Sequence, residues 1–202
     1  MAEPHADEPG LIANALAGDV AAFNVLVERY QTPVYNLCLR MLGPANAEDA
    51  AQEAFISAYR FLARFRGGSF RAWLFRIAAN ACYDEMRRKK SRPAASLDRP
   101  HGEDDRTFDA ADIAPTPETR AETAELRRTL EGALARLPGD QRLAIILCDV
   151  QGMDYAEIAE VMQVSLGTVK SRISRARSRL RTILLEHREL LPDSIRQTGE
   201  SP

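Results

Sequence analysis

The segment Asp154–Arg181, DYAEIAEVMQVSLGTVKSRISRARSRLR, decides how the rest of the chain is read. It divides at Gln163 and Val164 into two short amphipathic stretches. Asp154 stands three residues before Glu157, the spacing of a capping box, in which each residue satisfies the other's free backbone N–H at a helix start. Ile158, Val161 and Met162 follow at i, i+3 and i+4, so the first helix buries one face. Ser165 can cap a second helix, whose inward stripe is Val169, Ile173, Ala176 and Leu180. The outward positions carry Lys170, Arg172, Arg175, Arg177, Arg179 and Arg181, and no acid lies between Val164 and Arg181. Two capped helices with a tight turn between them make a helix-turn-helix, whose second helix enters the major groove. There phosphates take up charge, and Arg or Lys reads guanine edges. A solvated basic face is the plain alternative, but the place of the cations on the second helix of a capped pair favours DNA.

Outward from this segment the pattern stays helical. Gln141 to Val150 is an apolar helix that ends before Gly152; the Pro138-Gly139 turn precedes it, and Leu126, Leu130, Leu134 and Leu137 mark another helix over Glu118 to Leu137. From Pro93 to Pro117 there are four prolines, an excess of Asp and Glu and no sustained period, the composition of a flexible acidic linker. In the N-terminal part, Leu11, Leu16, Phe23, Leu26, Tyr30, Val34, Leu37 and Met41 recur at helical spacing. Gly18-Asp19 marks a break, and Pro33 is expected to kink or interrupt the longer helix. Asn46 is expected to cap a helix running to about Phe65, with Ala50, Ala54, Ala58 and Phe61 inward and Asp49, Gln52, Glu53, Ile56 and Arg60 outward. That outer face is acidic and partly apolar, which suits solvent or a docked protein equally. Ser69 opens a helix with a core stripe of Phe70, Trp73, Leu74, Ile77, Ala78 and Ala81. Its other face offers Arg76, Asn80, Tyr83 and Arg87 and runs into the basic tail Arg87 to Arg92. Eight of the thirteen aromatics fall between Phe55 and Tyr83, and aromatics beside cations are what holds unstacked bases.

The chain is therefore expected to be all-α, with two small helical domains over 10–92 and 118–188, a linker over 93–117 and a frayed tail over 189–202. With few elements crossing between the domains, their mutual contact is expected to be weak and dependent on a partner. The 202 residues carry a net charge of −2, but basic residues cluster at 87–92 and 170–181 while acids concentrate between 98 and 125, so local patches set the field that a polyanion meets. Cys38, Cys82 and Cys148 form no CxxC pair and have no histidine at ligand spacing, so no metal or cofactor is expected. No nucleotide loop or His-based dyad is found. No apolar run is long enough for a membrane span and no leader pattern opens the chain, so a cytoplasmic protein without membrane insertion is expected.

Four strings in this order, AEDAAQEAFISAYRFLARFRG, FRAWLFRIAANACYDEMRRKK, LPGDQRLAIILCDVQGMDYAEIAEVM and SLGTVKSRISRARSRLR, resemble the extracytoplasmic-function (ECF) sigma factors of the sigma-70 superfamily. The resemblance covers about Leu11 to His187. It implies a non-enzymatic protein, with sigma region 2 and region 4 domains, that lends promoter specificity to core RNA polymerase. By the same resemblance Asp49, Gln52, Glu53 and Ile56 dock on the polymerase beta-prime clamp coiled coil, and the second domain meets the beta flap. Phe65, Arg66, Phe70, Arg76, Asn80, Tyr83, Arg87 and Arg88 correspond to minus-10 DNA, melted and held as a single strand. Thr168, Lys170, Ser171, Ser174 and Arg175 correspond to contacts with the minus-35 duplex. The family's habit further implies an anti-sigma factor. The segment EIAEVMQVSLGTVKSRISRARSRL also resembles LuxR-type regulators, which bind duplex DNA unaided; the N-terminal half, without a receiver's phospho-acceptor carboxylates, argues against that alternative.

Overall fold

The computed structural model describes residues 8–91, 126 and 128–186; Arg92, the linker 93–117 and the tail 189–202 lie outside these residues. Helix α1 (Glu8–Leu16) and helix α2 (Val20–Leu42) are separated by a turn in which Gly18 takes φ +99°, a conformation open to glycine. Asp19 then caps α2, its Oδ1 accepting from the N–H groups of Ala21 at 2.8 Å and Ala22 at 3.2 Å. Contrary to the expected interruption, α2 remains helical through Pro33. An interior proline costs about 3 kcal/mol, but α2 buries Leu26 and Tyr30 before it and Val34, Leu37, Cys38 and Met41 after it. At roughly 1.5–3 kcal/mol for each large apolar side chain, that burial holds the helix together across the missing donor.

Helix α3 (Pro44–Phe61) begins at the proline, two residues before the expected cap, and no side chain caps it. Proline at the first helical position lacks an N–H that would be unpaired there anyway, so Asn46 is not needed. Its buried seam is Ala47, Ala50, Ala51, Ala54 and Ala58, small enough to bring α2 and α4 close. Phe61, expected inside, is 41 % exposed, with the Arg64 guanidinium 4.8 Å from its ring centre; Leu62, in the 3₁₀ turn Leu62–Arg64, is buried in its place. Ser69 accepts from the Ala72 N–H at 3.1 Å and starts helix α4 (Phe70–Ser91).

In the second half, helical residues 128–135 (α5) precede α6 (Gly139–Ile145), the π turn Ile146–Val150, α7 (Tyr155–Met162) and α8 (Leu166–Leu185). The capping box is present in both directions: Asp154 Oδ1 accepts from Glu157 N–H at 2.8 Å, and Glu157 Oε2 accepts from Asp154 N–H at 3.1 Å. Gln163 turns the chain in the left-handed region (φ 54°, ψ 47°), and Ser165 Oγ receives the Thr168 N–H at 3.2 Å. Ile158 and Val161 on α7 and Val169, Ile173 and Ala176 on α8 are buried, as the periodicity requires.

The two halves pack together, against the expectation of weak contact. Leu143, Ile146, Leu147, Met153, Ile158 and Val169 share one core with the buried residues of α2, α3 and α4. The reason lies in α4, which buries Ala72, Phe75, Ala79 and Cys82 in addition to Phe70, Leu74 and Ala78 of the expected stripe, whose Trp73, Ile77 and Ala81 are half-buried, and so has apolar surface for two neighbours. At the rim, Gln151 Nε2 donates to the Pro33 carbonyl at 3.1 Å, and the Gln151 carbonyl accepts from Arg71. Arg142 Nη1 reaches across to the Met41 carbonyl at 2.8 Å.

Replacing Ile158 with Ala should cost about 2–5 kcal/mol, the usual effect of emptying a buried aliphatic site. Because the core is shared, the denaturation midpoint reported by Trp73, the one tryptophan of the chain and a residue of α4, should fall as well. An unchanged Trp73 midpoint would show that the halves unfold independently.

Candidate nucleic-acid and docking surfaces

Three surfaces emerge, each on the solvent side of a well-anchored helix. On α3, alanine burial turns the acidic side outward: Asp49, Gln52 and Glu53 are exposed, Ile56 is 39 % exposed and Tyr59 49 %. The same side borders a groove between α3 and α4 of about 380 Å³, in which Asp49 and Glu53 face Ile77, Asp84 and Glu85. Apolar side chains among carboxylates suit a basic, partly apolar protein partner more than a nucleic acid. Arg88, expected beside the DNA-facing residues, lines this groove instead and pairs with Glu85 at 3.5 Å.

The second surface is the side of α4 that carries Arg76, Asn80 and Tyr83, with the loop before it. Arg66 is exposed, beside Gly67 (φ +91°) and Gly68 (φ +86°), a backbone path that side-chain-bearing residues rarely take. Phe65 packs edge-on against Phe70 (5.6 Å between ring centres) and Trp73 (5.5 Å). Phe70 itself is 2 % exposed and also touches Tyr30, so it belongs to the core and supports the loop from inside rather than meeting a ligand. Arg87 is exposed and ion-paired with Asp84. Tyr83 is half-buried, and burial first, then the nearby Asp140 carboxylate, pushes its phenol above the ordinary range, while Arg172 opposes this.

The third surface is α8. Lys170, Ser174 and Arg175 are exposed, while Thr168 and Ser171 are half-buried and partly engaged at the helix start: the Thr168 and Ser165 hydroxyls lie 2.9 Å apart, and Ser171 Oγ donates to the Thr168 carbonyl at 2.9 Å. Two of the cations assigned to the outward face are held from within the protein. Arg172 pairs with Asp140 at 3.0 Å, and Arg177 makes a two-point contact with Asp149, Nη2 to Oδ1 at 2.6 Å and Nε to Oδ2 at 3.2 Å. Asp140 and Asp149 thus tie α8 to α6 and the π turn, roles that no local spacing announces. Among the described residues no group of three or more His, Cys, Asp and Glu is placed to hold a metal ion. No helix among them is long and apolar enough to cross a membrane.

Comparison with known proteins places these surfaces on matched regions. Residues 26–92 match the family model described as Sigma-70 region 2, and residues 127–180 match Sigma-70, region 4. The chain is 40 % identical over 169 residues to the ECF RNA polymerase sigma-E factor of Escherichia coli (strain K12), covering 83 % of this chain and 88 % of the relative. Against the ECF RNA polymerase sigma-E factor of Haemophilus influenzae (strain ATCC 51907 / DSM 11121 / KW20 / Rd) it is 38 % identical over 186 residues, covering 88 % and 94 %. Similar solved structures include CnrH in complex with the cytosolic domain of CnrY (TM-score 0.64, 29 % identity, 86 % of this chain and 94 % of that one). Another is the sigma factor RpoE in complex with the anti-sigma factor NepR from Bartonella quintana (TM-score 0.60, 26 % identity, 82 % and 98 %).

The Asp149–Arg177 pair carries a pH dependence. Arg177's hydrogen bond, foremost, holds the Asp149 carboxyl below the usual carboxylate range. Its contribution is therefore present above the ordinary pKa of about 4 and is lost as pH falls through the lower folded value. The Asp149 side chain is 38 % exposed, so screening limits the effect to at most about 1 kcal/mol. Asp149→Asn should lower the melting temperature at pH 6 and approach the wild-type curve below about pH 4; a gap that stays constant into acid would rule out this ion pair as its source.

Proposed function

Because the chain belongs to the extracytoplasmic-function sigma factors of the sigma-70 family, we propose that its three surfaces divide the work of promoter-directed initiation among polymerase docking, strand capture and duplex reading. The protein binds core RNA polymerase and directs transcription to its promoters. The observation that supports this most is the presence of both matched regions, in order, on one chain that aligns over 169 residues with a relative of that name. The LuxR-type alternative loses its support, because its resemblance covered only the C-terminal helices while the region 2 match accounts for the N-terminal half.

The physical division follows from the charges. The acidic and apolar side of α3, with Asp49, Gln52, Glu53 and Ile56, docks on the beta-prime clamp coiled coil, and the second half meets the beta flap. Lys170, Ser174 and Arg175, exposed on α8, enter the major groove at the minus-35 element, with Thr168 and Ser171 at the start of the same helix. Arg66, Phe65, Arg76, Asn80 and Tyr83 receive the minus-10 strand. Extruding a base costs a few kcal/mol, and stacking on an aromatic ring returns about 1–3 kcal/mol per base, so Tyr83 and the amide of Asn80 supply an offset of the right size. Arg87 and Arg88 extend the basic end of α4 towards the backbone of that strand. Bond-making stays with the polymerase; this chain contributes binding free energy, acts in the cytoplasm, and is held in check by an anti-sigma factor, the kind of partner seen on the similar RpoE structure.

Reconstitution with bacterial core RNA polymerase tests the reading: run-off transcription from a promoter library should show start sites that require this chain. Arg175→Ala should weaken use of minus-35-dependent promoters by about 5–150-fold, the equivalent of roughly 1–3 kcal/mol for a base-reading contact. Arg177→Ala, whose guanidinium is already paired with Asp149, should cost markedly less. Asp49→Ala combined with Glu53→Ala should weaken core binding; unaltered binding would remove α3 as the docking face.

A further inference from the structure

The loop that carries Arg66 is gripped by rings on both sides, and the grip is anchored outside the loop. Phe65 precedes it and Phe70 follows it, with 5.6 Å between their ring centres. Trp73 closes the set, 5.5 Å from Phe65 and 5.4 Å from Phe70. Behind Phe70 stands a fourth ring, Tyr30 of α2, at 5.8 Å. Phe70 and Tyr30 are buried, whereas Phe65 and Trp73 are half-buried, so the set of rings runs from the core out to the loop. Between the two phenylalanines, Gly67 and Gly68 leave the backbone free to follow more than one path. The course of residues 66–69 is therefore set by the rings at its ends and by the Ser69 cap, rather than by the loop itself.

Tyr30 is held at its other end too. Its hydroxyl donates to Glu8 Oε2 at 2.7 Å, and the same oxygen receives Arg29 Nη1 at 3.3 Å. Glu8 opens α1, where a carboxylate also meets the positive end of the helix dipole. A hydrogen bond to an ionised acceptor is shorter and about twice as strong as a neutral one. Burial first, then the Glu8 hydrogen bond, pushes the Tyr30 phenol well above its ordinary range, so it remains a donor. Phenylalanine would fill the same space without needing a partner; what the hydroxyl adds is a fixed position for the ring.

We propose that Tyr30, held by Glu8, is a positioning residue for minus-10 recognition: through Phe70 and Phe65 it fixes the course of residues 66–69, and with it the choice of base that the loop and Asn80 accept. The inference rests on the strand-capture reading of Phe65, Arg66, Asn80 and Tyr83. Tyr30, 8 % exposed, acts through the rings rather than on DNA. A site that discriminates between bases must hold its contacting groups within about 0.5 Å, which requires supporting side chains locked in their own rotamers. Tyr30 supplies that lock, because its ring is engaged by Phe70 and its hydroxyl by Glu8. Loss of the hydroxyl leaves the ring in place and core binding intact but loosens the loop, so wrong minus-10 bases are accepted more readily.

Full-length Tyr30→Phe, Glu8→Ala and Glu8→Gln are compared with wild type in run-off transcription with core polymerase. The templates are one promoter taken from the library and its single-base variants in the minus-10 and minus-35 elements. Tyr30→Phe leaves Glu8 paired with Arg29, so α1 stays seated. Tyr30→Phe and Glu8→Ala should each lower discrimination among minus-10 bases at least threefold, while minus-35 discrimination and affinity for core polymerase stay within twofold of wild type. Glu8→Gln keeps an acceptor for the hydroxyl and should restore minus-10 discrimination to within twofold. In the free proteins, acrylamide quenching of Trp73 should rise at least twofold for Tyr30→Phe and Glu8→Ala and stay at the wild-type level for Glu8→Gln. Unchanged minus-10 discrimination in Tyr30→Phe overturns the proposal even if the variant melts earlier, and so does an equal loss at both elements, the mark of general destabilisation. Failure of Glu8→Gln to rescue, or unchanged Trp73 quenching, overturns it as well. If wild type itself directs no start sites, the sigma-factor reading fails and this inference with it. Intact wild-type transcription with unchanged discrimination in the variants sinks only the positioning role of Tyr30.

Discussion

One guanidinium organises the relation between the halves. Arg142, 9 % exposed, donates to the carbonyls of Met41 at the end of α2 and of Ala135 and Leu137 at the end of α5. Helix C-termini leave carbonyls without intrahelical partners and carry partial negative charge, so a cation there answers both needs at once. Burial pushes the pKa of Arg142 down, but an arginine remains charged in proteins. A buried cation is costly unless satisfied. Its position is therefore fixed by where three carbonyls can converge, and α6, which carries it, is fixed with it. The seat of Gly139 on Tyr83 and the reach of Asp140 to Arg172 follow from that placement.

Around this tie the molecule uses side-chain size as much as polarity. The alanine seam of α3 lets helices close on one another without large side chains, leaving Asp49 and Glu53 exposed along the groove beside α4. Helix α4 does the opposite, burying Phe70, Leu74 and Phe75 and serving as a wall for both halves. The Cys38 and Cys82 thiols, 3.7 Å apart and fully buried, fill the space between α2 and α4 as small apolar groups. Apart from Arg142 and its neighbour Gln141, the charged side chains of the described residues lie half-buried or exposed.

What could be read from the sequence was whatever is settled within one helical turn. The caps at Asp154 and Ser165, the break at Gly18-Asp19 and the inward stripe of α8 depend on residues three or four apart, and all are found in the structure. The misreadings share the opposite character. Pro33 was outweighed by burial along α2, and Phe61 gave its place to Leu62. Arg177 finds Asp149 28 residues away, and no periodicity links them. The side of α4 that meets the second half was equally hidden, because Tyr83 read as helix surface until a neighbour covers it. The assignment of α3 to the polymerase came from the resemblance, since the α3 residues by themselves fitted solvent or a docked protein equally, whereas the cations of α8 pointed to duplex DNA on their own.

The internal pairing of Arg172 and Arg177 has a consequence for how strongly ionic conditions govern this protein. Each phosphate neutralised by a protein cation releases counterions and steepens the fall of affinity with salt by about 0.9 logarithmic units per decade. A recognition helix with Arg172 and Arg177 held by Asp140 and Asp149 gives up nearly two units of that slope at those two positions. Such a helix holds less firmly to arbitrary DNA, so a larger share of its hold on any sequence rests on base contacts and on the company it keeps.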